Sequence, residues 1–90
     1  MFIKILLNIK IIKNEFINSQ SNAIAGAIYL SGNNAIIIEN NFANNTAGSY
    51  AGSIRMQSDN GIITNNIFVD NTASQSGGAI YLIGNNISMT

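Results

Sequence analysis

Residues 40–65 read NNFANNTAGSYAGSIRMQSDNGIITN, and the same outline precedes and follows them. Residues 14–39 read NEFINSQSNAIAGAIYLSGNNAIIIE, and residues 66–90 read NIFVDNTASQSGGAIYLIGNNISMT. Phe16, Phe42 and Phe68 stand 26 residues apart (42 − 16 and 68 − 42). Asn14, Asn40 and Asn66 keep the interval, as do Gly26, Gly52 and Gly78, and Ile28, Ile54 and Ile80. Four columns in one register, with no insertion or deletion, define a repeat; a period between about 20 and 50 residues implies a solenoid or an array. Outward from the middle unit, Asn8, Asn34, Asn60 and Asn86 fall in line, and so do Ile11, Ile37, Ile63 and Met89. Phe2 takes the column of Ile28 in that register. The chain therefore divides into a partial coil at 1–13 and coils at about 14–39, 40–65 and 66–90, a single repeat segment over 1–90. Beginning and stopping in mid-unit, it is expected to be a slice of a longer chain.

Within each unit the apolar pattern has period two, which is a strand signal and not a helical one. Ile28 and Leu30 alternate with Ala27 and Tyr29, and the later units give Ile54 with Met56 and Ile80 with Leu82. A second strand directs Ala35 and Ile37 inward, repeated as Gly61 with Ile63 and Ile87 with Met89. A third, short strand surrounds Phe16, Phe42 and Phe68. Three short strands per 26-residue turn predict an all-β fold, a right-handed parallel β-helix of about 3.5 coils, with like residues stacked at about 4.8 Å. The Phe column is expected to stack in the lumen. The Asn14, Asn40, Asn66 column is expected to form a ladder of amides at one corner. Gly26, Gly52 and Gly78 mark another corner, where a side chain clashes or a positive φ is required. The leucine-rich repeat also admits this period, but Ala25, Ala51 and Gly77 occupy its preceding Leu position and no helical stripe completes the unit.

Composition agrees and excludes several classes. Sixteen Asn and eighteen Ile pair a corner-tolerant residue with a β-branched one. Pro is absent, which suits uninterrupted strand pairing, and without Cys or His there are no disulfides, thiol chemistry or zinc sites of the usual type. Four cations (Lys4, Lys10, Lys13, Arg55) against four anions (Glu15, Glu39, Asp59, Asp70) form no basic stripe, so nucleic acid is not an expected partner. The opening run Met1–Lys13 is broken by Asn8, Lys10 and Lys13; it reads as solenoid and not as a signal peptide or a membrane span.

Two recurring pieces resemble the repeats of the polymorphic outer membrane proteins, which carry GGA(I/L/V) and FxxN motifs. The first reads Ala25-Gly26-Ala27-Ile28, Ala51-Gly52-Ser53-Ile54 and Gly77-Gly78-Ala79-Ile80, complete only in the third copy. The second reads Phe42-Ala43-Asn44-Asn45 and Phe68-Val69-Asp70-Asn71, while Phe16-Ile17-Asn18-Ser19 ends in Ser. The resemblance implies a surface-displayed or secreted repeat region used in adhesion or structure.

Chemistry is sparse by comparison. Parallel β-helices also host pectin-lyase-like enzymes, which cluster carboxylates on an outward face. Here no two acids share a column, so adjacent coils are expected to present no paired carboxyls of the kind glycosidic hydrolysis uses. No catalytic residue, metal ligand or cofactor is assigned. The outward trio Tyr29, Arg55, Tyr81 is the candidate ligand face, a cation between two rings suited to a sugar or an acidic group. Ile12, Ile36, Ile38 and Ile62 should point outward together, a patch that suggests a cover or partner. The expected function is a non-enzymatic structural or adhesive repeat region, and the alternative is a fragment of a pectin-lyase-like carbohydrate-active enzyme whose catalytic coils lie elsewhere. Expected partners are carbohydrate or a host or cell-surface protein, and neighbouring coils of a longer chain or end-to-end copies of this one.

Overall fold

The computed structural model describes residues 2–3, 8–22, 24–75 and 77–90. Lys4, the first cation of the opening run, lies outside the described residues. The chain opens with β1 (Phe2–Ile3), β2 (Lys10–Ile12), β3 (Glu15–Ile17) and β4 (Gln20–Ser21). The next coil holds β5 (Ile28–Ser31), β6 (Ile36–Ile38), β7 (Asn41–Ala43) and β8 (Thr46–Ala47). It is followed by β9 (Ile54–Gln57), β10 (Ile62–Thr64), β11 (Ile67–Val69) and β12 (Thr72–Ala73), and then by β13 (Ile80–Ile83) and β14 (Ser88–Met89). Every pairing joins one coil to the next in parallel, in the orders β1-β5-β9-β13, β14-β10-β6-β2, β11-β7-β3 and β12-β8-β4. The fold is an all-β parallel solenoid of about three turns, with no helix among the described residues.

Each of the first three coils thus has four strands where the period-two pattern predicts three. The fourth, Thr46–Ala47 and its equivalents, is two residues long, too short for alternation to register. Its existence follows from the corners. Asn34 (φ 59°), Glu39 (φ 58°) and Asn44 (φ 57°) separate the four strands of one coil, and the same three columns turn at positive φ in the other coils. Asn supplies most of these corners because its short amide tolerates the left-handed region. Lys13 and Glu39 adopt it without that advantage, at φ 58° each.

Period-two burial places the core as the alternation requires. Ile28, Leu30, Ala35, Ile37, Phe42, Ile54 and Met56 are fully buried, and Ile63 nearly so. Like meets like across the coils: Ile37 pairs with Ile11 and Ile63, and Phe42 with Phe16 and Phe68. The middle coil is sealed by its neighbours, whereas Met89, on the inward column of the last coil, is 56% exposed.

The opening strand departs from the uniform register. Phe2 pairs with Tyr29 and Ile3 with Leu30, a spacing one residue longer than the repeat, so Phe2 is not in the column of Ile28.

The glycine corner is a matter of space. Gly26 and Gly52 do not have positive φ. A Cβ on Gly52 would overlap the Gly78 carbonyl and stand 2.6 Å from the Thr72 nitrogen; one on Gly26 would overlap the Gly52 carbonyl. The residue after Gly52 exposes a small fault: Ser53 is fully buried and its Oγ has no hydrogen-bond partner. Ala27 and Ala79 occupy the same column. Ser53→Ala removes an unsatisfied hydroxyl and should stabilise the fold by about 1 kcal/mol. Urea denaturation checks this, and a destabilised variant would contradict the description of the site.

Candidate functional site

The ladder residues read from the repeat come together as columns. The Phe16, Phe42 and Phe68 rings stack with centroids 4.9 and 5.0 Å apart and planes within 5°. Asn14, Asn40 and Asn66 form the amide ladder. Asn40 Nδ2 donates to Asn66 Oδ1 (3.0 Å) and to the Ile11 carbonyl (2.8 Å). Asn40 Oδ1 accepts from the Asn14 backbone N–H (2.8 Å) and from Asn14 Nδ2 (3.3 Å). Asn40 is only 2% exposed, so this saturation is what makes its burial tolerable.

A second ladder runs through Asn45 and Asn71, residues that the sequence reading placed only within a motif. Asn45 Nδ2 donates to Asn71 Oδ1 (2.9 Å) and to the Phe16 carbonyl (3.0 Å), and Asn45 Oδ1 accepts from the Ser19 backbone N–H (3.0 Å). The two-fold recurrence at the repeat spacing was the available signal; Ser19 in the first coil obscured it.

The outward face of β5, β9 and β13 is set by the same register. Tyr29 pairs with Arg55 and Arg55 with Tyr81, each one coil apart, so the three side chains line up along the solenoid axis. The Arg55 guanidinium carbon lies 4.9 Å from the centroid of the Tyr29 ring. Tyr81 is also met by Tyr50, ring centroids 5.1 Å apart at an angle of 45°. Tyr50 is the residue missed in the sequence: it sits outside any strand, in the corner before Ala51, and has no aromatic counterpart in its column. Arg55 makes no ion pair with a carboxylate among the described residues, and its Nε is shut off from solvent with no acceptor. Gln57, exposed, follows on the same outward side between Ser31 and Ile83.

A second feature brings together two acids that share no column. Glu15 and Glu39 line one open groove of about 390 Å³ with Lys13, Asn14, Asn40 and Asn41. Column counting misses this because the two acids belong to different columns. Glu15 pairs with Asn41, two residues beyond Glu39, and the left-handed turn at Glu39 lies diagonally across from it. Among the described residues no three His, Cys, Asp or Glu side chains gather where they could hold a metal ion.

The apolar columns point outward as the alternation predicts. Ile12 and Ile62 are 43% and 40% exposed, with Ile36 and Ile38 half-buried beside them. Ile17, Ile67 and Val69 add a further exposed apolar stretch on β3 and β11. No helix of the described residues is long and apolar enough to cross a membrane. Comparison with known protein families, with curated proteins and with solved structures returned no match to this chain.

Proposed function

We propose that the chain is a non-catalytic structural or adhesive stretch of β-solenoid, working at a cell surface or in a secreted protein. The observation that carries this reading is the unbroken in-register stacking of outward side chains into linear arrays. Tyr29, Arg55 and Tyr81 form one array, Ile12 and Ile38 a second, and Ile36 and Ile62 a third. An array of this kind makes many weak, parallel contacts with an extended partner, which is how avidity arises without a deep pocket. The GGAI-like and FxxN-like pieces support the same reading, because they resemble the repeats of polymorphic outer membrane proteins. The pieces fall on structural positions: the glycine corner and the Phe and Asn ladders. Carbohydrate or a cell-surface protein is the proposed partner class, and coil-on-coil contact with further repeats or with another copy is the proposed mode of extension.

One observation favours the alternative, a fragment of a carbohydrate-active enzyme: Glu15 and Glu39 share a groove. A single experiment separates the two. The chain is incubated with immobilised polysaccharides and cell-surface proteins, and both retention and released sugar fragments are measured. Retention without product is the expected result. Product that disappears in a Glu15→Gln, Glu39→Gln double variant would establish the enzyme reading instead, and no retention on any surface would remove the adhesive one.

A further inference from the structure

We propose that Tyr29, Arg55 and Tyr81, with Tyr50 beside them, form a binding site for a carboxylate-bearing pyranose, a uronic-acid unit within a polysaccharide. The inference rests on the adhesive reading above and names the ligand class of one of its arrays.

The argument begins with the guanidinium. Arg55 has no carboxylate partner among the described residues, and its Nε is enclosed without an acceptor. Its cation lies 4.9 Å from the Tyr29 ring centroid, which holds the plane in place. The Nη groups are then the donors left for a ligand, and a fork of parallel N–H donors is the arrangement that grips a carboxylate with two hydrogen bonds. The surrounding rings supply the other half of a sugar site. Tyr50 and Tyr81, tilted 45° at 5.1 Å, make an aromatic corner one coil from the charge. The electron-rich ring faces attract the C–H face of a pyranose, while its hydroxyls stay at the rim. Gln57, exposed beside Arg55, is placed to meet such a hydroxyl.

Rigidity favours the same ligand. Arg55 sits on β9, which is hydrogen-bonded on one side to β5 and on the other to β13. Little ordering therefore remains to be done on binding. The doubly paired strand also argues against an acidic peptide: such a peptide needs a free sheet edge or several cations, and this face has neither, with one cation on a fully paired strand.

The test uses three soluble oligosaccharides of equal length: a uronic-acid oligomer, its methyl-esterified form and a neutral hexose oligomer. Affinities are measured by calorimetry, with circular dichroism and thermal unfolding as controls on folding. The uronic-acid oligomer should bind at least about tenfold tighter than its ester, and its affinity should fall with added salt. Arg55→Gln should abolish that preference, Arg55→Lys should restore only part of it, and Tyr81→Leu should weaken binding several-fold. Equal binding of acid and ester by the native chain overturns the inference without relying on any variant. So does an Arg55→Gln variant that folds and keeps full affinity, or tighter binding of a polyglutamate peptide of matched charge. Retention on polysaccharide surfaces that is indifferent to Arg55 overturns this assignment and leaves the adhesive reading standing.

Discussion

Replacing Asn40 with Asp is expected to bring the solenoid close to unfolding at neutral pH, although the substitution exchanges one nitrogen for one oxygen. Asn40 Nδ2 donates to the Ile11 carbonyl and to Asn66 Oδ1 at 2.8 and 3.0 Å. An ionised carboxylate sets an acceptor against both of those acceptors, at a position only 2% exposed. The donors from Asn14 serve only the other oxygen, so burying that charge with one oxygen against two acceptors should cost about 3–5 kcal/mol, a large part of the about 5–15 kcal/mol that holds a small domain together. The pH dependence has a definite sign. The folded environment disfavours the charged form, so the folded pKa of the new carboxyl is raised above its unfolded value of about 3.9. The folded state then binds more protons, and stability falls as pH rises from the unfolded pKa towards the folded one. Denaturation by urea at pH 3.5 and pH 7 should show the variant near native stability only in acid. An equal loss at both pH values would mean that the ladder is not the cause. The same change at Asn66, half-buried in the last coil, should cost less.

Gly52→Ala should be comparably damaging, and Gly78→Ala nearly silent, although both residues belong to one column. The Cβ added at Gly52 overlaps the Gly78 carbonyl and approaches Thr72 N and O at 2.6 and 2.8 Å. These are backbone atoms of the next coil, held by the hydrogen bonds of Gly52 and Ser53 to Gly78 and Ala79. Relief requires the coils to part, so the penalty should be about 3 kcal/mol or more, at the upper end for overpacking. At Gly78 the nearest atom to a new Cβ is the Asn71 carbonyl oxygen at 3.6 Å, an ordinary contact. Its effect should stay within about 0.5 kcal/mol. Chemical denaturation of the two variants side by side decides the matter. If they lose similar stability, conformational preference and not steric closeness governs the column.

These two cases show different depths of legibility. Asn40 was readable as a ladder residue because a parallel solenoid puts each residue beside its equivalent one period away, and Asn14, Asn40 and Asn66 recur at that period. The Phe stack and the inward Ile and Leu columns were readable on the same ground. The glycine column was readable as a requirement, but its reason was not: clash and positive φ leave the same letter in the sequence, and only the carbonyl positions of the next coil distinguish them. Tyr50 and the Glu15–Glu39 groove were hidden for another reason. They join residues in different columns, and a period predicts contacts only along one.

The sequence by itself determined the period, the number of coils, which side chains enter the lumen and which stack upon one another. It could do so because stacking identical units makes one distance along the chain equivalent to one step in space. The tertiary structure alone decided what depends on the path between columns. It set the fourth strand after the left-handed corner at Asn44 and its equivalents, and the shifted register that brings Ile3 opposite Leu30. It also set the aromatic corner of Tyr50 and Tyr81. Those features arise from how sharply each corner turns and how closely neighbouring coils approach, quantities set by backbone geometry and steric contact, which no repeat of letters encodes.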